Sequence, residues 1–244
     1  MAAIPAVILM GFAKGGFAGL GLLSMSLLST VVSPVKAAAI MLPILIVQDA
    51  VSVWSYRKTF DKRLLIIMLP GSILGIVFGW LVAAYVSEAA VRLIVGAISV
   101  TFVGMFWRRR TNSVHPPEVS GTKPAGVFWG AIAGYTSFVA HAGGPPFQVY
   151  VMPLRLKPAF YAGTNTMFFA VTNALKTIPY LALGQFSSEN LSSSAVLFPA
   201  AIVATIGGVW LVRRIEVARF YNIVYALTLG VGLKLIFDAL QTLF

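Results

Sequence analysis

The sequence predicts an all-α polytopic membrane protein, and three observations support this fold class. Hydrophobic residues make up 59% of the 244 residues and charged residues only 10%, well below the roughly 25% of an ordinary soluble domain. Residues 64–86 contain no charged side chain and are long enough to cross a hydrocarbon core about 30 Å thick. Apolar segments of this kind follow one another along the chain, separated by short loops that hold most of the basic residues.

The apolar segments fall into two halves. They span residues 4–32, 35–56, 64–86, 89–107, 125–153, 158–184, 194–212 and 217–244. Residues 108–124 contain two consecutive prolines and predict a cytoplasmic linker between an N-terminal repeat, 1–107, and a C-terminal repeat, 125–244. The matching pairs, in order, are Gly19 with Gly143, Pro34 with Pro158, Asp49 with Asn173, Pro70 with Pro199, Gly79 with Gly208 and Glu88 with Glu216. This conserved order predicts a duplicated unit of four segments.

Glycine-rich stretches at corresponding positions of the two repeats predict breaks in membrane helices. The glycines concerned are Gly15, Gly16, Gly19 and Gly21 in the first repeat and Gly143 and Gly144 in the second. Opened backbone is tolerated inside a bilayer only where it lines a cavity, and matched interruptions in two halves indicate a transporter's substrate site. We therefore expect the first segment of each repeat to be a re-entrant or broken hairpin that contributes to such a site.

The distribution of basic residues supports these hairpins. If all eight segments crossed the membrane, the loop Lys and Arg residues would divide eight to seven and define no orientation. With two hairpins, thirteen of them lie on one side: Arg57, Lys58, Lys62, Arg63, Arg108, Arg109, Arg110, Lys123, Arg155, Lys157, Arg213, Arg214 and Arg219. Only Lys36 and Arg92 lie on the other, as the positive-inside rule expects. Three crossings per repeat follow, so the repeats are predicted to be inverted, with both termini non-cytoplasmic, in the cell inner (plasma) membrane.

Composition also excludes several classes of function. The net charge of +11 is a topology signal in loops, so no nucleic-acid partner is expected. The absence of cysteine excludes disulfides and thiolate metal sites. The sequence also lacks a cluster of metal ligands and a catalytic constellation, so we expect no metal, no cofactor and no enzymatic activity. The first basic residue, Lys14, lies inside an apolar segment, which disfavours a cleaved signal peptide.

Two lysines within apolar segments are candidate anion ligands. Lys14 precedes Gly15-Gly16, where an ammonium beside free backbone N–H groups would attract an anion. Lys176 lies one helical turn after Asn173 and one turn before Tyr180, so ammonium, amide and phenol would share one polar stripe. The alternatives are a snorkelling Lys14 and a purely structural stripe at Lys176.

The acidic and neutral candidates accompany these lysines. Asp49, beside Gln48, is the acid well inside an apolar segment, and it is a candidate either for a coupling proton site or for a fixed counter-ion to Lys14 or Lys176. His141 precedes Gly143-Gly144 and is either a donor to an anion or a satisfied structural hydrogen-bonder.

Thr164 and Asn165 follow Gly163. They are expected to open a helix whose free N–H groups suit anionic oxygens, unless the threonine bonds back to its own helix. Lys234 and Asp238 are four residues apart, a spacing that predicts an ion pair. Aromatic residues near segment ends, namely Trp54, Tyr56, Trp107, Trp129 and Trp210, are interpreted as interfacial anchors.

At these positions the chain resembles the TauE/SafE family, also called the sulfite exporter family, over nearly its whole length. The first glycine cluster and the apolar run that follows it, 18–28, are similar to the family's first hairpin. In the second repeat, Gly143-Gly144-Pro145, Gly163-Thr164, Asn173, Lys176, Tyr180 and Gly184 resemble the family's ordered pattern. The resemblance implies a membrane carrier, often an exporter, of sulfite, sulfonates or similar small organosulfur anions.

The leading functional prediction is therefore a secondary transporter of small sulfur-containing anions such as sulfite, sulfonates or sulfoacetate, working by alternating access at a midplane site between the repeats. An anion channel for the same substrates and a carrier of small organic carboxylates remain open alternatives. A lipid bilayer and a small anion are the expected partners.

Overall fold

The computed structural model describes residues 3–17, 19–28, 31, 34–82, 85–112, 121–182 and 188–243. Within these ranges, residues 22, 25, 26, 34–39, 109–112, 179–182, 188–191 and 193 are described by their backbone alone. The helices are α1 (Ala3–Gly15), α2 (Leu20–Leu28), α3 (Pro34–Tyr56), α4 (Lys62–Val82), α5 (Glu88–Asn112), α6 (Lys123–Ala140), α7 (Gly144–Val151), α8 (Pro158–Ala182), α9 (Ser188–Arg214) and α10 (Val217–Leu243). A short 3-10 helix, Met152–Leu154, follows α7, and the described residues contain no strand. The all-α prediction is confirmed.

Four helices in the described ranges are long and apolar enough to cross a membrane. They are α4, the Glu88–Arg108 part of α5, the Ser194–Arg214 part of α9, and α10. The apolar helices Ala3–Gly15 and Ile40–Tyr56 are shorter. Three crossings per repeat require α3 and α8 to cross as well. That count and the inverted relation of the repeats stay predictions.

Local chemistry places the helix ends. Pro34 and Pro158 are the first residues of α3 and α8, a position where the missing proline N–H costs nothing. Asp61 caps α4, because its Oδ1 accepts hydrogen bonds from the backbone N–H groups of Arg63 and Leu64 at 2.9 and 3.1 Å. Positions that carry turn and cap signals in the sequence thus become helix boundaries.

The chain divides into two compact units that do not coincide with its two halves. The first unit comprises Met1–Leu65 and Lys157–Phe220, and the second comprises Ile66–Leu156 and Tyr221–Phe244. Each unit therefore combines helices from both halves. The predicted division into 1–107, 108–124 and 125–244 concerns duplication of the sequence rather than spatial packing, and it stays a prediction.

In the first unit, glycines allow α1 to pack closely against α9. A Cβ atom added at Gly11 would lie 2.5 Å from the Ala204 Cβ, and one added at Gly15 would lie 2.5 Å from the Gly208 Cα. Helix α3 packs against both α8 and α9. Small residues at such contacts let helix backbones approach each other, and here they fix the C-terminal end of α1 against α9.

The second unit uses the same device between α4 and α6. A Cβ added at Gly130 or at Gly134 would lie 2.2 Å from the backbone oxygen of Met68 or of Ser72, respectively. Gly96 of α5 likewise faces α10, where an added Cβ would lie 2.7 Å from the Gly232 oxygen. Close glycine packing is therefore common to both units.

Candidate functional site

The break after α1 is a glycine-terminated helix end. Gly16 has a positive φ of 137°, and its N–H donates to the Ala13 oxygen at 3.1 Å while the Phe17 N–H donates to the Phe12 oxygen at 3.2 Å. These two bonds form a Schellman motif with Gly16 at the position that favours glycine. The predicted interruption in the first glycine cluster is confirmed.

Side-chain hydroxyls complete the hydrogen bonding of this helix end. The Lys14 carbonyl accepts from Ser52 Oγ at 3.1 Å and from Thr166 Oγ1 at 3.4 Å. The Gly15 carbonyl accepts from the Tyr56 hydroxyl at 2.6 Å. All four terminal carbonyls of α1, which have no partner within the helix, are thereby satisfied by the Schellman bonds and by groups on α3 and α8.

An ion pair lies beside this helix end. Lys14 Nζ donates to Asp49 Oδ1 at 2.6 Å, and Asn173 Nδ2 donates to Asp49 Oδ2 at 2.7 Å. Asp49 and Asn173 are the residues that the internal alignment equates, and they meet where α3 packs against α8. The carboxylate therefore links a lysine from the first half of the chain to an amide from the second half.

Lys176 completes a buried charged cluster with these residues. It follows Asn173 by three positions on α8, so the two side chains share a helix face, and it interacts electrostatically with Lys14 and with Asp49. Burial of these residues is nearly complete, since Lys176, Asp49 and Lys14 retain 2%, 6% and 9% of their accessible surface. We call Lys14, Asp49, Asn173 and Lys176 the lysine cluster.

Two buried side-chain amide oxygens of the first unit accept no hydrogen bond from any described residue. Gln48 donates through Nε2 to the Val7 oxygen at 3.3 Å, but its Oε1 has no such partner. The Asn165 Oδ1 is in the same state, and both side chains are buried. An unsatisfied buried acceptor costs free energy, so these two oxygens can accept a hydrogen bond from a bound group.

Of the two alternatives for Thr164, the structure confirms the bond back to its own helix and contradicts the opening of a helix at this residue. Helix α8 begins at Pro158, so Thr164 lies in its second turn and not at its start. Its Oγ1 donates to the Phe160 oxygen at 2.7 Å and accepts from the Asp61 N–H at 2.9 Å. The free N–H groups expected around Thr164 and Asn165 are therefore used within the helix, because proline starts helices more strongly than an internal Gly-Thr pair.

The other predicted residues of the first unit lie around the break or outside the described side chains. Gly19 is buried, and it lies in the connection between α1 and α2. Gly21 faces α1, where an added Cβ would lie 3.4 Å from the Met10 Sδ. Tyr180 belongs to α8, but its side chain lies outside the described part of the chain.

The second predicted break belongs to the second unit. Helix α6 ends at Ala140, and His141 takes a left-handed conformation with φ 51° and ψ 25°. The Ala142 N–H donates to the Thr136 oxygen at 3.0 Å. Gly143 and Gly144 then start α7, with Gly143 as its N-cap. The interruption is confirmed, and the lysine cluster and His141 belong to different compact units.

Sequence reasoning missed Ser52 and misinterpreted Tyr56. Tyr56 is fully buried with its hydroxyl on the Gly15 oxygen, so the interpretation as an interfacial anchor is wrong: a broken helix end supplied an acceptor that the phenol satisfies. A usable signal existed, because positions 49, 52 and 56 are spaced three and four apart and lie on one face of a helix. The predicted pair of Lys234 with Asp238 is confirmed.

Comparison with known proteins identifies the family. The family model described as sulfite exporter TauE/SafE matches residues 3–235, a range that includes both breaks and the whole lysine cluster. No curated protein and no solved structure gives a significant match. The chain therefore belongs to the sulfite exporter TauE/SafE family, which is a family of multi-pass membrane transporters and not of enzymes.

Proposed function

We propose that the protein is a secondary transporter, acting in export, of small sulfur-containing anions such as sulfite, sulfonates and sulfoacetate, and that the lysine cluster binds the anion. The observation that carries this proposal is the burial of two lysines with one carboxylate beside a broken helix. Buried ammonium groups are costly unless they are paired. An anion bound beside them would be attracted by both ammonium groups.

The neighbouring groups suit an oxyanion. Asn173 presents an amide donor to Asp49, and its Nδ2–H groups can also donate to a sulfonate or sulfite oxygen. The free N–H groups expected at Gly15-Gly16 are not available to the anion, because the N–H groups of Gly16 and Phe17 donate to the Ala13 and Phe12 oxygens. The two glycines would instead leave space for the anion beside Lys14. We propose that substrate contacts come from Lys14, Gly15, Gly16, Asn173 and Lys176 at the centre of the site.

Other predicted ligands have supporting positions in this proposal. Asp49 holds the Lys14 ammonium in place until the anion arrives, which favours its role as counter-ion, and Gln48 lies next to it in the chain. The remaining predicted contacts are Gly19, Gly21, Thr164, Asn165 and Tyr180 from the first unit and His141, Gly143 and Gly144 from the second. Each of these stays a prediction.

Transport by alternating access is the mechanism that we propose for this site. The cluster draws Lys14 and Asp49 from one repeat and Asn173 and Lys176 from the other. Relative movement of α3 and α8 would change the distances among these groups and hence the affinity for the anion. A helix break beside a buried ion-binding site is typical of carriers that work in this way.

Counterflow in proteoliposomes tests the proposal. Vesicles loaded with unlabelled sulfite are expected to accumulate external ³⁵S-sulfite transiently, with saturation, because a carrier exchanges substrate through its occupied site. Excess sulfoacetate should compete and excess acetate should not. Conductance without counterflow would favour the channel, and equal competition by acetate would favour the carboxylate carrier.

A matched lysine pair provides the control for this assay. Lys176→Ala is expected to abolish counterflow, because it removes a buried ammonium of the cluster. Lys234→Ala removes a lysine from α10 that is paired with Asp238 and partly exposed, and it should leave counterflow intact. Loss of counterflow in both variants would contradict the assignment of the site.

A further inference from the structure

We propose that the C-terminal ends of α3 and α9 together bind the phosphate of an anionic phospholipid. Arg213 of α9 donates through Nη2 to the Ser55 carbonyl of α3 at 2.5 Å, so the two helices end side by side. Apolar helical stretches end at Tyr56 in α3 and at Arg214 in α9. This inference concerns other residues than the proposed anion site and does not depend on it. We call the four basic residues at these ends the basic end: Arg57, Lys58, Arg213 and Arg214.

The basic end carries four positive charges, and none of them pairs with a carboxylate of a described residue. All four residues are exposed. The described acids nearest in sequence are engaged elsewhere, since Asp61 caps α4 and Glu216 pairs with Arg219. Unpaired like charges repel one another and attract a negative counter-charge. The basic end is therefore electrostatically complementary to an anionic group.

Two exposed tryptophans orient arginines of the basic end. The Arg57 guanidinium carbon lies 3.9 Å from the ring centroid of Trp54, and one N–H of this arginine donates to the Trp54 carbonyl at 2.6 Å. The Arg214 guanidinium carbon lies 4.5 Å from the ring centroid of Trp210. Stacking covers one face of a guanidinium and leaves N–H groups at its edge to bind an oxyanion. Each helix thus presents one oriented arginine.

The position of these groups favours a lipid phosphate over a dissolved one. Trp54 and Trp210 are exposed by 69% and 53% and lie about one turn from the ends of apolar helical stretches, where tryptophan typically meets the lipid headgroups. The stacked arginines lie at the same level, close to the phospholipid phosphates. The thirteen-to-two distribution of basic loop residues predicts that this end is cytoplasmic, and basic clusters on that side bind anionic headgroups. The fitting occupant is therefore an anionic phospholipid.

Lipid titration of the purified full-length protein in detergent tests the proposal. Native mass spectrometry measures the dissociation constant of the first bound lipid, with phosphatidylglycerol as the anionic probe and phosphatidylcholine as the zwitterionic one. We expect phosphatidylglycerol to bind more tightly by on the order of tenfold. Arg57→Gln with Arg214→Gln removes both stacked guanidinium groups and should weaken phosphatidylglycerol binding about fivefold for each arginine.

Arg92→Gln with Arg219→Gln is the matched control for net charge. It removes the same amount of positive charge, but from arginines that pair with Glu88 and Glu216. The affinity for phosphatidylglycerol should equal that of the unaltered protein.

A tryptophan variant separates the stacks from the charge. Trp54→Leu with Trp210→Leu keeps every arginine but removes the indoles that orient two of them. It should weaken phosphatidylglycerol binding about twofold to fivefold.

Several outcomes overturn the proposal. Equal binding of the two lipids does so, as does an equal loss of affinity in the two double-arginine variants. Displacement of the lipid by inorganic phosphate at matched concentration would assign the basic end to a dissolved anion. If the glutamine variant does not fold, Arg57→Lys with Arg214→Lys decides, because lysine keeps the charge without the planar edge, and an unchanged affinity then overturns the proposal. Lys176→Ala should bind phosphatidylglycerol normally, so failure of the proposed anion site leaves this inference in place.

Discussion

The two helix breaks have similar backbones and different chemistry. The first ends α1 at a positive-φ glycine, Gly16, and the second ends α6 at a positive-φ histidine, His141. In each case a backbone N–H beyond the helix end bonds back to a carbonyl of the last turns. The first break, however, has Lys14 and Asp49 beside it.

The polar interiors of the two units differ in the same way. Buried polar residues of the second unit, among the side chains described there, are the uncharged Ser72, Ser99, Thr136, Ser137, Gln148 and Thr228. Gln148 pairs with Thr228 at 2.7 Å, a neutral bond between α7 and α10. The buried charge of the described chain is thus concentrated in the first unit. A glycine break alone therefore does not make a charged site, and its neighbours on α3 and α8 decide the chemistry.

The difference between the two breaks has no functional meaning if the buried charged residues of the first unit only stabilise the fold. Lys14→Ala tests this alternative and has the largest expected effect. Loss of a charge-assisted hydrogen bond to the anion should weaken binding about tenfold to a hundredfold. The variant also leaves Asp49 without its ammonium partner, which costs about 3 to 5 kcal/mol of stability. Isothermal titration with methanesulfonate and thermal unfolding measure the two effects.

A double variant separates binding from stability. Lys14→Met with Asp49→Asn replaces the buried pair by neutral groups, so much of the stability should return while anion binding stays lost. Lys234→Ala, which breaks a partly exposed pair in the second unit, should cost about 1 kcal/mol and leave binding unchanged. Recovery of anion affinity in the double variant would show that Lys14 has a structural role only.

Glycine packing gives a second, smaller test of the difference between the units. Gly15→Ala and Gly134→Ala each place a methyl group against the backbone of a neighbouring helix, and each should destabilise its unit by about 1 to 3 kcal/mol. Only Gly15→Ala should also weaken anion binding, because Gly15 adjoins Lys14. Gly104→Ala, where an added Cβ meets nothing within 4 Å, is the control. Equal loss of anion binding in Gly15→Ala and Gly134→Ala would contradict a site confined to the first break.

The parts of the fold that the sequence predicted correctly depend on local chemistry. Glycine clusters located both breaks, and the apolar composition identified the membrane class. The internal alignment paired Asp49 with Asn173, and these two side chains form a hydrogen bond. The apolar segment 158–184 began where α8 begins, although Thr164 and Asn165 were also expected to open a helix and instead lie inside α8.

The parts that could not be predicted depend on distant packing. Each compact unit contains helices from both halves of the chain. The order of the segments along the chain does not specify which helices pack together. Tyr56 at the end of an apolar segment looks like an interfacial residue unless the open carbonyl of Gly15 is already known. Lys14 could have paired with several groups, and only the close approach of α1 to α3 selects Asp49.

The smallest expected effect concerns His141 at the second break. Asparagine tolerates the left-handed conformation that His141 adopts, so His141→Asn should keep the end of α6 and change stability little. If the second break contributes to the anion site as the sequence predicts, loss of one neutral hydrogen bond weakens methanesulfonate binding about twofold to tenfold, well below the effect of Lys14→Ala. Titration beside thermal unfolding measures both quantities. An unchanged affinity in a stable His141→Asn protein would restrict the second break to a structural role and leave the anion chemistry to the first.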